Sequence, residues 1–282
     1  MTQAVFSSSA KVSGDELIPD KALIMSGYGI NSEMETKEVL LRSGMDADIV
    51  HINDLIDRKF RMTDYRLLVF PGGFSYGDDT GAGNAYANRV RNNLWNDLTE
   101  FLEEDNLVLG ICNGFQILAN LGLVPAFDKQ YKRDIALMPN RKGVLECRYV
   151  TIKPAFETLW TKGIERIVCP VSHGEGNFSC SPEVLKRLKS QKMVAFTYCR
   201  EDLRPADGEY PFNPNGSTAD IAGITSADGK VLAMMPHPER AMEFVNQYDW
   251  TLQKEILKRK QLPVPSESIN MRLFRNIVDY FR

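Results

Sequence analysis

Short apolar runs and helical periods alternate along the first half of the chain. Ala22 to Met25 reads as a strand that ends at Gly27-Tyr28-Gly29, and Glu33 to Arg42 reads as a helix stopped by Gly44. Asp48 to Ile52 and Leu67 to Phe70 give two further strands. From Asn84 to Leu102 the apolar residues Val90, Leu94, Leu98, Phe101 and Leu102 return at helical spacing and share one face. Leu107 to Ile111 is an unbroken apolar run, followed by a helix over Phe115 to Leu121 that Gly122 closes. Strand, helix and strand at this spacing predict βαβ units. The implied fold is α/β in three layers: a mostly parallel twisted sheet with helices on both faces.

The second half is more mixed. Arg166 to Val171 and Met193 to Tyr198 read as strands around a helix at Glu183 to Ser190. Ile221 to Ile224 and Val231 to Met235 flank Ser226-Ala227-Asp228-Gly229, whose Asp-Gly pair suits a hairpin turn. Two helices separated by Pro263 and Pro265 finish the sequence, the last near Ser268 to Phe281. No internal repeat and no Gly/Ser-rich linker divides the chain. The expected organisation is a polar arm over residues 1–20, then one domain over 21–282 with a helical extension from about 241.

Composition narrows the function. With 282 residues, 43% hydrophobic, the chain can bury a sizeable core. No apolar run approaches the roughly 18 residues of a membrane span, so no membrane association is expected. A net charge of −3 argues against a protein that coats nucleic acid. The five cysteines are widely spaced, with no C-x-x-C pair, which disfavours a disulfide framework and a thiolate zinc site. The first residues lack an apolar signal core. A reducing, cytoplasmic setting is expected.

The most informative stretch is Leu107-Val108-Leu109-Gly110-Ile111-Cys112-Asn113-Gly114-Phe115-Gln116. A buried strand runs into Gly-x-Cys-x-Gly and straight into a helix, the thiol version of a nucleophile elbow. The sulfur then sits at a helix N-terminus, where the positive dipole end favours thiolate. A thiolate needs a proton partner, and only His51, His173 and His237 exist. His51 lies in a strand and reads as a packed residue. His237, in Met235-Pro236-His237-Pro238-Glu239-Arg240, follows a strand, and extended geometry there would set Glu239 beside it as orienter. Phe70-Pro71-Gly72-Gly73-Phe74 also follows a strand. The Gly73 backbone, with the N–H of Asn113, can form an oxyanion hole. All three elements should meet along one edge of the sheet. His173-Gly174-Glu175-Gly176-Asn177 either lines the same pocket or is a surface loop. No stretch matches the phosphate-binding spacing G-x-x-x-x-G-K-[ST].

Taken together, the cysteine elbow with Gln116 four residues on, the upstream Pro-Gly-Gly and the late Pro-His-Pro-Glu resemble the class I glutamine amidotransferases. Pro71-Gly72-Gly73-Phe74-Ser75-Tyr76-Gly77-Asp78, His173-Gly174-Glu175-Gly176 and Asn213-Pro214-Asn215-Gly216-Ser217 extend the likeness. They are similar to the branch that serves purine biosynthesis, converting formylglycinamide ribonucleotide to formylglycinamidine ribonucleotide. The resemblance implies a flavodoxin-like fold and hydrolysis of L-glutamine through a cysteine thioester, with Cys112 as nucleophile, His237 as base and Glu239 as orienter. It implies Gln116, His173, Gly174 and Gly176 as glutamine-binding residues. No metal or cofactor is implied in this chain. ATP and magnesium are expected on a partner synthetase subunit, with a small accessory subunit as a further possible partner. Ser32 departs from the cysteine that relatives often carry after Asn31, at a position without a catalytic role. The alternatives are a glutaminase serving another synthetase, a related cysteine hydrolase, and a non-catalytic interaction subunit.

Overall fold

A computed structural model describes residues 20–282. The arm expected over residues 1–20 lies, apart from Asp20, outside the described residues.

The first half builds β1 (Lys21–Ser26), α1 (Glu33–Ser43), β2 (Asp46–His51), α2 (Ile52–Ile56), β3 (Leu67–Phe70), α3 (Asn84–Glu103), β4 (Leu107–Ile111) and α4 (Asn113–Leu121). Then come β5 (Ile135–Met138), β6 (Glu146–Pro154), β7 (Ile167–His173), β8 (Asn177–Cys180), α5 (Pro182–Ser190) and β9 (Val194–Cys199). The hairpin of β10 (Ile221–Thr225) and β11 (Val231–Met234) precedes α6 (Trp250–Arg259) and α7 (Met271–Phe281).

Nine strands form one sheet in the order β2-β1-β3-β4-β11-β10-β9-β6-β7. From β2 to β11 the neighbours are parallel. From β11 outward they are antiparallel. β3 and β4 are buried at every residue, which is why they read as continuous apolar runs instead of alternating ones. The strand order reverses direction after β2. With right-handed crossovers, that reversal sends α1 to one face and α3 to the other, where α3 packs on α4.

Sequence periodicity passes over β5, β6, β8 and α2. β5 and β8 pair only with each other, and α2 has five residues. β5, β8 and α2 are too short to show a period, and β6, though nine residues long, buries its residues without a regular alternation. The final helix is also more than an extension. In α7, Met271, Leu273, Phe274, Ile277 and Val278 are buried in the main core, and the helix packs on α1. By contrast α6 has no buried residue. Among the described residues, no helix is long and apolar enough to cross a membrane.

Candidate active site

The site grows from the carboxyl ends of three neighbouring parallel strands. β4 ends at Ile111 and the chain turns at Cys112, whose backbone (φ 53°, ψ −106°) lies in a conformation that L-residues rarely adopt. The turn then becomes the first turn of α4. Its tightness explains both glycines. A Cβ on Gly114 would sit 1.8 Å from the Phe70 carbonyl oxygen at the end of β3, and one on Gly110 would meet Leu118 at 2.5 Å. The Cys112 N–H donates to the Met234 carbonyl (2.8 Å), tying the elbow to β11. The thiol is only 3% exposed, and its sulfur lies 3.5 Å from the Ser172 carbonyl oxygen.

β11 is registered Met234 to Ile111 against β4, so the residues after it continue beside the elbow. His237 follows. Its Nδ1 and the Glu239 Oε1 are 2.6 Å apart, with the imidazole 1% exposed and the carboxylate fully buried. The pairing was expected, but the backbone that makes it differs. His237 (φ −105°, ψ 80°) leads into a single 3₁₀ turn over Pro238–Ala241, and that turn, not an extended strand, folds Glu239 back. Burial alone would push the imidazole pKa down. The Glu239 carboxylate, and then the nearby Cys112 sulfur, outweigh it and raise the value from 6.5 to about 10. The His237 Nε2 is buried and makes no hydrogen bond among the described residues.

The turn after β3 supplies the third element. Gly72 lies flush against the His237 ring, which an added Cβ would meet at 2.5 Å. Gly73 forms an antiparallel bridge with Ile30. The flanking residues make its hydrogen bonds, Asn31 N–H to Gly72 O (3.0 Å) and Phe74 N–H to Gly29 O (2.9 Å), leaving the Gly73 N–H outside the ladder. The Asn113 N–H belongs to the first turn of α4, whose donors have no intrahelical partner. Asn113 also joins the two turns, because its Oδ1 accepts from the Ser75 N–H (3.3 Å).

Around this centre lies a polar wall. Gln116 is fixed at both ends of its amide: Oε1 accepts from Asn113 Nδ2 (2.8 Å), and Nε2 donates to the Glu175 carbonyl (2.7 Å). His173 is buried, as are the Gly176 contacts around it. An added Cβ on Gly176 would strike the imidazole at 2.3 Å, while Gly174 has open space around it. Burial, then the nearby His237, pushes His173 down to about 3, so it is neutral. Asn140 Nδ2 donates to the His173 and Val144 carbonyls, which leaves Asn140 Oδ1 as an acceptor. It accepts from the Gly176 N–H and lies 3.1 Å from His173 Nδ1, which therefore carries the ring proton. Asn215 backs the same loop, donating to the Gly176 carbonyl (2.7 Å) and to Tyr198 Oη (3.2 Å). His51 stands apart: its Nδ1 accepts from the Asn53 N–H and caps α2.

Residues 19–281 match the family model described as a CobB/CobQ-like glutamine amidotransferase domain. The chain belongs to this family of glutamine amidotransferases. The amidotransferase is 49% identical over 265 residues to phosphoribosylformylglycinamidine synthase subunit PurQ of Methanococcus maripaludis, covering 93% of this chain and 97% of that one. It is 38% identical to the subunit of the same name from Dehalococcoides mccartyi, covering 93% and 98%. Among solved structures it resembles a chain of PurLQS from Thermotoga maritima, with a TM-score of 0.69 and 25% identity, covering 94% of this chain and all of that one.

Sequence reasoning brought Cys112, His237, Glu239, Gly73, Asn113 and Gln116 to one edge, and the fold brings them together there. It missed Asn140, Asn215, Asp78 and Arg240, all of which touch site residues. Asp78, within reach of Asn113 Nδ2 (3.4 Å), is raised from 3.8 to about 6 by burial and by the nearby Glu175 and Asp79. Asn140 and Asn215 act through side-chain bonds to loops distant in sequence, which no local period signals. Asp78, Asn215 and Arg240 all lie in the strings that carry the family resemblance, but none of them was given a role there. Among the described residues, no group of His, Cys, Asp and Glu is arranged to hold a metal ion.

Proposed function

We propose that this chain is the glutaminase subunit of a phosphoribosylformylglycinamidine synthase. It hydrolyses L-glutamine to glutamate and ammonia, and the ammonia passes to a synthetase subunit that converts formylglycinamide ribonucleotide to formylglycinamidine ribonucleotide. The observation that carries the chemistry is the convergence of a strained cysteine elbow with a buried His–Glu pair on the neighbouring strand. Kinship with the PurQ subunits, over nearly their whole length, supports the partner and pathway.

The Cys112 thiolate attacks the carboxamide carbon of glutamine. The developing oxyanion lies between the N–H groups of Gly73 and Asn113, each worth roughly 3 kcal/mol of barrier. His237, held as imidazolium by Glu239, gives its proton to the departing ammonia, leaving a glutamyl thioester. It then takes a proton from water, the hydroxide attacks the thioester, and glutamate leaves as the thiolate and imidazolium are restored. Gln116 and the His173–Gly176 loop form the wall that orients the substrate. ATP and magnesium belong to the synthetase, and a small accessory subunit completes the assembly. Ammonia protonated in bulk water is no nucleophile, so the two subunits act in contact. A reducing cytoplasm suits the free cysteines.

Cys112→Ala tests this reading. It should abolish glutamate release from glutamine, and a covalent glutamine-analogue label should map to Cys112. Release that survives the substitution overturns the assignment.

A further inference from the structure

The loop between β1 and α1 touches both turns of the site. Arg240 shares the 3₁₀ turn of His237, to whose carbonyl its N–H donates (3.2 Å). Its guanidinium reaches across to that loop: Nη2 donates to Ser32 Oγ (2.6 Å) and Asn31 Oδ1 (3.3 Å), and Nε to Glu35 Oε1 (3.2 Å). Ser32 is fully buried and lies against Gly72, where an added Cβ would come within 3.0 Å of its Oγ. The backbone N–H groups of Asn31 and Ser32 both donate to the Gly72 carbonyl oxygen, at 3.0 and 3.2 Å.

That carbonyl belongs to the same planar peptide unit as the Gly73 N–H. In a trans peptide the two point in opposite directions. Two bonds that hold the Gly72 oxygen towards the β1–α1 loop therefore aim the Gly73 N–H away from it. The residues on either side are glycines, so sterics alone do little to stop the unit from rotating. What holds it is the position of Asn31 and Ser32, and Arg240 is the side chain that fixes them relative to His237.

We propose that Arg240 is a positioning residue for glutamine hydrolysis. By gripping Ser32, Asn31 and Glu35, it sets the Gly72–Gly73 peptide, and with it the oxyanion donor, in register with the His237 ring. The proposal rests on the glutaminase reading given above. A lysine is not equivalent, because a single ammonium cannot hold three acceptors in the plane of a guanidinium fork.

The test compares Arg240→Met, Arg240→Lys and Ser32→Ala with the natural chain, each assembled with its synthetase. Glutamate release gives kcat and KM for glutamine. Alkylation of Cys112 by iodoacetamide, followed by peptide mapping across pH, reads the thiolate and His237 without using an oxyanion donor. Arg240→Met should lower kcat roughly 10- to 100-fold with KM within about twofold, since misplacing one donor acts on the transition state. The alkylation profile should be unchanged. Ser32→Ala should lower kcat in the same sense, and Arg240→Lys should not restore it fully. Unchanged kcat in Arg240→Met overturns the proposal, as does a rise in KM alone. A shifted alkylation profile also overturns it, since Arg240 would then act through His237 or the fold at large. Failure of the glutaminase reading looks different: the natural chain would release no glutamate, or Cys112→Ala would still release it.

Discussion

Glu239 places a fully buried carboxylate against His237, and its second oxygen has no hydrogen-bond partner among the described residues. Such a group is tolerated because the imidazolium beside it balances its charge. Glu239→Gln keeps the shape and removes the charge. We expect kcat for glutamine to fall by about a hundredfold or more. The alkaline limit of the pH–rate profile should move to lower pH, because an imidazolium that has lost its carboxylate gives up its proton more readily. Asp78 offers a pH test of the opposite kind. Its folded pKa, about 6, lies above its ordinary 3.8, so the folded state holds this proton more tightly than the unfolded chain does. Ionisation therefore weakens the fold, an effect absent at pH below 3.8 and complete once pH has risen past 6. Asp78→Asn should raise the urea midpoint at about pH 7.5, and the gain should shrink at about pH 5.

At the scale of elements, the glycines beside Cys112 matter for contact as much as for turning. Gly114→Ala forces α4 away from the end of β3 and should cost about 3 kcal/mol or more in denaturant unfolding, with loss of turnover. The two C-terminal helices should behave differently. Leu273→Ala in α7 should cost about 2–5 kcal/mol. Leu252→Ala in α6, at a residue 60% exposed, should stay within about 0.5 kcal/mol. Legibility in the sequence followed the same division. β3, β4 and the elbow were readable because burial on both faces leaves an unbroken apolar run, and tight turns leave glycines. The α7 stripe was visible too, yet its partner α1 was not, since nothing local says which face will receive it. The 3₁₀ turn that bends Glu239 back, and the asparagines behind the His173 loop, depend on contacts between segments remote in the chain.

For the molecule as a whole, the sheet divides its labour. The parallel half delivers the ends of β3, β4 and β11 to one edge, and there the turns carrying Gly73, Cys112 and His237 meet, as ligand sites do in open α/β sheets. The antiparallel half adds β7, whose carboxyl end brings Ser172 against the sulfur and carries the His173 loop. If ammonia is the only product the partner needs, Cys112→Ala in the assembled enzyme should end glutamine-dependent synthesis. An ammonium salt should still support product formation, and an assay of both nitrogen sources checks it.

The pairing of β4 with β11 joins segments separated by most of the second half of the chain. Closing so large a loop is slow beside the local βαβ steps. A molecule caught midway through refolding thus carries its sulfur on a finished bend while the imidazole is still adrift, and it can waste no glutamine. Helical circular dichroism should accordingly recover ahead of glutamate release, making turnover a late gauge of a fully assembled chain.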